Sequence, residues 1–336
     1  MQTVMLARHA MATRFEIVLH GDNSSRLRGA GEEALAEVER LESQLSLYQP
    51  ASEIARVNSC AARQPVRVTP AVFRLLEHAQ RLHRDTGGAF DITIAPLLRC
   101  WGFMHGSGSW PDPAAVAAAR RQVGMQHVIL DAENLTVQFD IEGVMLDLGA
   151  LGKGCAIDRA AETLRETGVT SALLHGGTST VYGIGRPPED DAWKIAIESP
   201  AQEIREGRAP ASPIMKSPAR EDQPPQLLAT VPLQDEALSV SAVWGKSFEH
   251  DGRTYGHVLD PRTGQPASNA VLAAVALPSA TETDALSTAL LVVGPEGHGT
   301  IARLRPGSRT LVIGPPATNY RAETQGIALA RQPQEP

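Results

Sequence analysis

The spacing of apolar residues changes near Gly124, and that change limits the folds open to the chain. Before it, three segments carry apolar residues at helical spacing. In 29–46, Leu35, Val38, Leu41 and Leu45 recur among Glu and Arg. In "VTPAVFRLLEHAQRLHRDTGG", Thr69 is the expected N-cap and Pro70 the first helical residue; Val72, Leu75, Leu76, Ala79 and Leu82 form the stripe, and Gly87-Gly88 the stop. "PDPAAVAAARRQVG" opens at Asp112-Pro113 and is expected to end at Gly124. After Gly124 the period falls to two. "HVILD" and "LTVQFD" flank "AEN" as a hairpin, and "GVMLDLGALGKG" reads as a strand entering a glycine turn, followed by the helix "CAIDRAAETLRETG". Helices and hairpins therefore follow one another without regular strand–helix–strand alternation. That pattern predicts an α+β fold rather than a doubly wound sheet.

Further short strands are expected at "SALLHGG", "STVYGIG", "AWKIAIESP", "LLATVPLQ", "ALSVSAV", "AVLAAVALPSA" and "RTLVIG", with a hairpin in "KSFEHDGRTYGHVLD" turning at Asp251-Gly252. The N-terminal stretch reads as a strand with Phe15, Ile17 and Leu19 on one side. Residues 201–226 hold mostly Pro, charge and small side chains, with little to bury, and read as a mobile insertion. Residues 1–321 are expected to form one domain and 322–336 a frayed tail. A net charge of −7 without a Lys/Arg run argues against nucleic-acid binding, which depends on neutralising phosphates. Three widely spaced cysteines, Cys60, Cys100 and Cys155, suggest neither a disulfide framework nor a zinc site and fit a reducing compartment. No stretch is apolar enough to span a bilayer and no signal peptide is visible, so no membrane insertion is expected.

"TETDALSTALLVVG" is an apolar helix that opens with Asp284 and Thr288 one turn apart. Residues at i and i+4 share a face. Asp284 reads either as a helix cap, with Thr288 bonding back to a carbonyl, or as half of an oxygen site for a hard cation. "DLGALGKGCAID" sets Gly149, Gly152 and Gly154 around Lys153; it is either a tight turn or a phosphate cradle, and its spacing is not that of a P-loop. Gly176-Gly177 in "LLHGG" is by itself only a turn. His257 in "YGHVLDPRTGQP" is either structural or an acid/base group beside Asp260 and Arg262. Tyr48, at the end of the first helix, either caps a loop or stacks on a planar ligand. Asp91, read as lying on a short strand among apolar residues, needs a partner.

In order, "MATRFEI", "LSLYQPASEIARVN", "GGAFDITIAPLLRCWGF", "DLGALGKGCAID", "LLHGG", "GHVLDPRTGQP" and "TDALSTALLVVG" resemble the ApbE family of FAD:protein FMN transferases. The resemblance runs from about Met5 to Gly314. It implies an α+β fold of two interlocked T-fold-like halves with packed helices. It also implies FAD as substrate, Mg²⁺, and transfer of FMN to a Ser or Thr of a target flavoprotein with release of AMP; such targets are typically subunits of membrane redox complexes. Matched by motif, Asp284 and Thr288 would be side-chain ligands of Mg²⁺ and Gly152 would supply a main-chain carbonyl. His257 would be the base, Tyr48 would stack on the flavin, and Met11, Asp91, Lys153, Gly176 and Gly177 would lie at the cofactor.

The chain departs from the family pattern at Gly149-Ala150-Leu151-Gly152, at Thr178, at Gly256, and in "SAVWGKSF", where "SGDYERFF" is common. Many relatives are exported lipoproteins; without a visible export signal, this chain is expected in the cytoplasm. A Mg²⁺-dependent FAD pyrophosphatase and a non-catalytic FAD-binding protein remain as alternative expectations.

Overall fold

The computed structural model describes residues 1–199, 227–315 and 321–330; the expected insertion 201–226 lies outside the described residues. β1 (Gln2–Ala10) and β2 (Thr13–Gly21) form a hairpin with Val4 opposite Leu19. The stretch read as one strand is thus two. Its turn, Met11–Ala12, has both residues left-handed, at φ 51° and 57°. Such turns ordinarily use Asn-Gly, so nothing in the sequence marks this one. α1 (Ser24–Leu45) follows, with Asn23 capping the Arg26 N–H.

α2 (Glu53–Cys60), α3 (Pro70–Asp85), α4 (Ala95–Cys100) and α5 (Pro113–Arg120) come next. Pro70 opens α3 as expected, but Thr69 makes no capping bond; its N–H and hydroxyl both donate to Glu53. Asp112 caps α5, which stops at Arg120, short of Gly124. The hairpin Val128–Asp131/Thr136–Phe139 is present. Expected strand 144–148 is instead extended chain. It passes through the interior with Asn58 bonded to both N–H and C=O of Leu146, and with the Asp147 N–H bonded to the Ile92 carbonyl. A side-chain amide thus satisfies backbone groups that a neighbouring strand would otherwise pair.

α6 (Gly152–Glu166), β3 (Ala172–Gly176), β4 (Thr180–Ile184), β5 (Glu236–Ala242), β6 (Leu272–Leu277), α7 (Ala280–Val293), β7 (Arg309–Ile313) and β8 (Ala322–Gln325) complete the frame. The strands β1 to β8 lie side by side in chain order as one antiparallel sheet. Both halves of the chain therefore share one sheet: α1 and α6 pack on β1–β4, and α7 on β4–β6. The tail expected to fray from 322 instead supplies β8 through residue 325, held by backbone bonds to β7.

The two faces of the sheet bury different cores. On one, Phe15, Ile17 and Leu19 meet Leu35 and Val38 of α1, Ile157 of α6, and Leu286 and Leu290 of α7. On the other, Val181, Leu238, Leu272 and Leu311 are roofed by the ribbon Trp193–Glu198/Leu227–Leu233. α7 is wedged between the sheet and α6, and eleven of its fourteen residues are buried. This explains why its sequence is apolar on nearly every side.

Candidate active site

α7 begins where α6 meets it. Ser279 is its N-cap, accepting the Glu282 N–H. Asp158 of α6 accepts from the N–H groups of Ala280 and Thr281 at 2.7 and 2.9 Å and from the hydroxyls of Ser279 and Thr281. These two residues satisfy the orphan donors of the first turn. Asp284, the fifth helical residue, is therefore not a cap, and the capping reading of it fails.

Asp284 is buried instead against the start of α6. Its Oδ2 accepts the Gly154 N–H at 3.1 Å, and its Oδ1 lies 3.5 Å from Lys153 Nζ. A helix N-terminus favours such an anion. Gly154 allows the approach, because a Cβ there would stand 2.1 Å from the Ala280 carbonyl oxygen. One turn on, the Thr288 hydroxyl donates to the Asp284 carbonyl at 3.1 Å, as a helical Thr commonly does, and also touches Ser241 Oγ at 3.2 Å.

Asp284 and Thr288 open onto a cavity of about 390 Å³, with Asp91, Asp147, Lys153 and His257 also in its wall. Five residues singled out from sequence thus converge: Asp91, Lys153, His257, Asp284 and Thr288. Asp91, 7% exposed, lies in an irregular segment just before the turn at Ile92 and Thr93, not on a strand. Its Oδ1 accepts the Thr93 N–H and hydroxyl at 2.7 and 2.6 Å, and its Oδ2 stands 3.1 Å from His83 Nδ1. Burial alone would lower the His83 pKa, but the Asp91 carboxylate and the Phe90 carbonyl outweigh it and raise it.

His257 sits in a bend just past the strand Arg253–Gly256, so the alternation that would align it with Tyr255 ends one residue earlier. Tyr255 packs with Trp110 and Phe248. The His257 Nδ1 is buried without a hydrogen-bond partner among the described residues, and the residue lines the cavity. Burial lowers its pKa, Lys153 and Lys246 push the same way, and only the Lys246 carbonyl opposes them. These effects favour the neutral ring. Arg262 does not join it; the guanidinium forks onto Asp260 with two 2.9 Å bonds. Gly256 has no room for a side chain, since a Cβ would meet the Val243 carbonyl oxygen at 1.9 Å.

The other expected residues stand outside this wall. Tyr48 is 56% exposed and edge-on to His105, and burial and the Asp147 carboxylate together raise its pKa. Met11 forms the strained hairpin turn, its N–H bonded to Glu42 at 2.7 Å. Gly176 ends β3, and Gly177, at φ 66°, turns the chain so that Thr178 and Ser179 reach the cavity. Gly152 is the first residue of α6, and the Leu151 carbonyl before it already accepts the Cys155 N–H. The Gly152 carbonyl therefore lies within the helix ladder. Ala150, two residues earlier, lines the cavity where Gly152 does not.

Sequence reasoning missed Asp147, Ser241 and Trp244, all in the wall. Asp147 heads the segment whose glycines and Lys153 alone carry the sequence signal. Burial raises its pKa, against the Gly149 N–H and the charges of Lys153 and Lys246.

An α+β frame that aims a carboxylate, a hydroxyl and a neutral imidazole at one cavity is built as an enzyme is. The ApbE family model matches residues 11–312, and the chain belongs to the ApbE family. It is similar to the FAD:protein FMN transferase of Treponema pallidum (strain Nichols), 30% identical over 298 residues, 87% of this chain and 79% of that protein. It is similar also to that of Klebsiella pneumoniae (strain 342), 28% identical over 298 residues, with the same coverage of each. Among solved structures, the ApbE protein of Thermotoga maritima superposes with a TM-score of 0.81 at 25% identity, covering 97% of each chain. The flavin transferase ApbE of Vibrio cholerae superposes with 0.76 at 26% identity over 96% of each.

Proposed function

We propose that this chain transfers FMN from FAD to a Ser or Thr hydroxyl of a target flavoprotein and releases AMP. The observation that carries the reading is the convergence of Asp91, Lys153, His257, Asp284 and Thr288 on one cavity. The naming of relatives as FAD:protein FMN transferases supports it.

The oxygen donors in the wall fit a hard cation such as Mg²⁺. Asp284 and Thr288 would hold it with a main-chain carbonyl, for which Ala150 is better placed than Gly152. Asp147, its charge disfavoured by burial, is a further carboxylate of the same cavity beside Asp284 and Asp91. When bound, the cation neutralises charge developing on the phosphate oxygens. The residues of the chain do the rest. Lys153 adds positive charge beside Asp284. Tyr48, exposed and outside the cavity wall, would offer an aromatic face to the flavin. His257 takes the proton of the acceptor hydroxyl at Nε2 while that oxygen bonds to the FMN phosphorus and the bond to AMP breaks.

An acceptor on a redox-complex subunit and a cytoplasmic setting belong to the same proposal. Three free cysteines support a reducing compartment, and no helix among the described residues is long and apolar enough to cross a membrane. The test is incubation with FAD, Mg²⁺ and a candidate acceptor, followed by intact mass and AMP analysis. Flavinylated acceptor with stoichiometric AMP is expected. Free FMN with AMP would make the enzyme a pyrophosphatase, and unchanged FAD would make it a binding protein.

A further inference from the structure

Ser241, next to last in β5, faces α7 and touches two hydroxyls of that helix at once. Its Oγ is 2.8 Å from Ser287 Oγ and 3.2 Å from Thr288 Oγ1. Both helix hydroxyls also lie 3.1 Å from one acceptor, the Asp284 carbonyl. That carbonyl has two lone pairs and already serves the helical ladder. It therefore has room for only one of the two hydroxyl protons. Ser241 resolves the competition. If Thr288 donates to the carbonyl, Ser287 donates to Ser241, and Ser241 donates to Thr288, then all three protons are used. Thr288 is then left with one lone pair and no proton toward the cavity.

We infer that Ser241 is a positioning residue: it fixes the proton arrangement of the Ser241–Ser287–Thr288 cluster so that Thr288 meets a divalent cation as an acceptor only. The inference rests on the cation reading of the cavity. It assigns work to a strand residue that makes no bond to Asp284, on the sheet side of the site. Without Ser241, the protons of Ser287 and Thr288 compete for one carbonyl, and the Thr288 proton turns toward the cation. Without Ser287, Ser241 still donates to Thr288 and the arrangement holds. The two serines, neighbours in one cluster, thus differ in expected effect: removing Ser241 weakens the site and removing Ser287 leaves it nearly unchanged.

The test is a Mn²⁺ titration of the full-length protein, followed by electron paramagnetic resonance in the presence and absence of FAD, with melting temperature measured alongside. Ser241→Ala should weaken Mn²⁺ binding about tenfold or more, as loss of a group that orients a metal ligand typically does. Ser241→Thr, which keeps the hydroxyl, should restore it, and Ser287→Ala should stay within about twofold of wild type. In steady state, Ser241→Ala should raise the Mg²⁺ concentration needed for half-maximal rate, with kcat at saturating Mg²⁺ largely recovered. Should Ser241→Ala not fold, Ser241→Cys keeps the volume with a weaker donor and should bind Mn²⁺ less tightly than Ser241→Thr. Equal losses in Ser241→Ala and Ser287→Ala, or unchanged affinity in Ser241→Ala, would overturn the inference. A wild-type protein that takes up no Mn²⁺ under either condition would remove the cation reading itself and the inference with it.

Discussion

Replacing Asp284 by Asn separates the two things a buried carboxylate can do at the mouth of a helix. The amide oxygen can still accept the Gly154 N–H that Asp284 accepts at 3.1 Å. What disappears is the ion pair with Lys153, at 3.5 Å and with the lysine side chain 23% exposed. The lysine is partly solvated but the carboxylate is only 5% exposed, so losing the pair costs about 1–3 kcal/mol, between the surface and the buried case. The turn itself is capped by Ser279 and Asp158 and loses nothing. The fold should therefore survive with a melting temperature lowered by roughly 2–12 °C. Function should not survive. A cation ligand that loses its charge gives up several kcal/mol of charge stabilisation in the transition state, and each 1.36 kcal/mol is a factor of ten in rate. AMP release should fall by about 100-fold or more, with partial recovery at high Mg²⁺. The assay is AMP production by chromatography at low and high Mg²⁺, beside thermal unfolding and FAD titration. Wild-type turnover at low Mg²⁺ from a folded Asp284→Asn protein would refute the reasoning and leave Asp284 a structural anion.

His257→Ala should slow transfer by about 10²–10⁴-fold while FAD affinity holds. Because burial lowers the His257 pKa from its usual 6.5, the acid limb of the wild-type rate profile should have its half-point below pH 6.5; a half-point above pH 6.5 would contradict this. Tyr48→Ala should weaken FAD binding by roughly 1–3 kcal/mol, the usual loss for an aromatic stacking face, and an unchanged titration curve would take Tyr48 out of the site. Glu282 is a test of the fold. Burial opposes its ionisation, but His78 and Arg305 overcome that and hold its pKa down to about 2. A carboxylate lowered in the folded state adds stability above its unfolded value of 4.5 and loses it as pH falls toward 2. Denaturation followed from pH 5 to pH 2 should show that loss, and Arg305→Met should reduce the stability present at pH 5.

How much of this was legible beforehand varies with the kind of interaction. Strand and helix segments were readable where period and punctuation agreed, as at Pro70, Asp112 and Asp251-Gly252, because local sterics and capping act within a few residues. Where tertiary partners supply the bonds, local reading failed. The segment around Leu146 lacks a strand because Asn58, far away in sequence, takes its backbone groups. Residues 322–325 are ordered because β7 offers them an edge. Met11–Ala12 turns without glycine because Glu42 holds the Met11 N–H.

The site divides along the same line. The sequence by itself determined the α+β class, the order of motifs that marks the ApbE family, and the one-turn spacing of Asp284 and Thr288, all properties of neighbours along the chain. The local Ser279 cap already removes Asp284 from the capping role, and the tertiary structure adds Asp158 of another helix to the remaining first-turn donors and sets Asp284 against the start of α6. Only the tertiary structure decided that Ala150 rather than Gly152 faces the cavity, because α6 begins at Gly152 and takes up that carbonyl. It also brought Ser241 and Asp147 into the wall. Each of these outcomes depends on which distant group reaches a donor or acceptor first, and packing sets that competition.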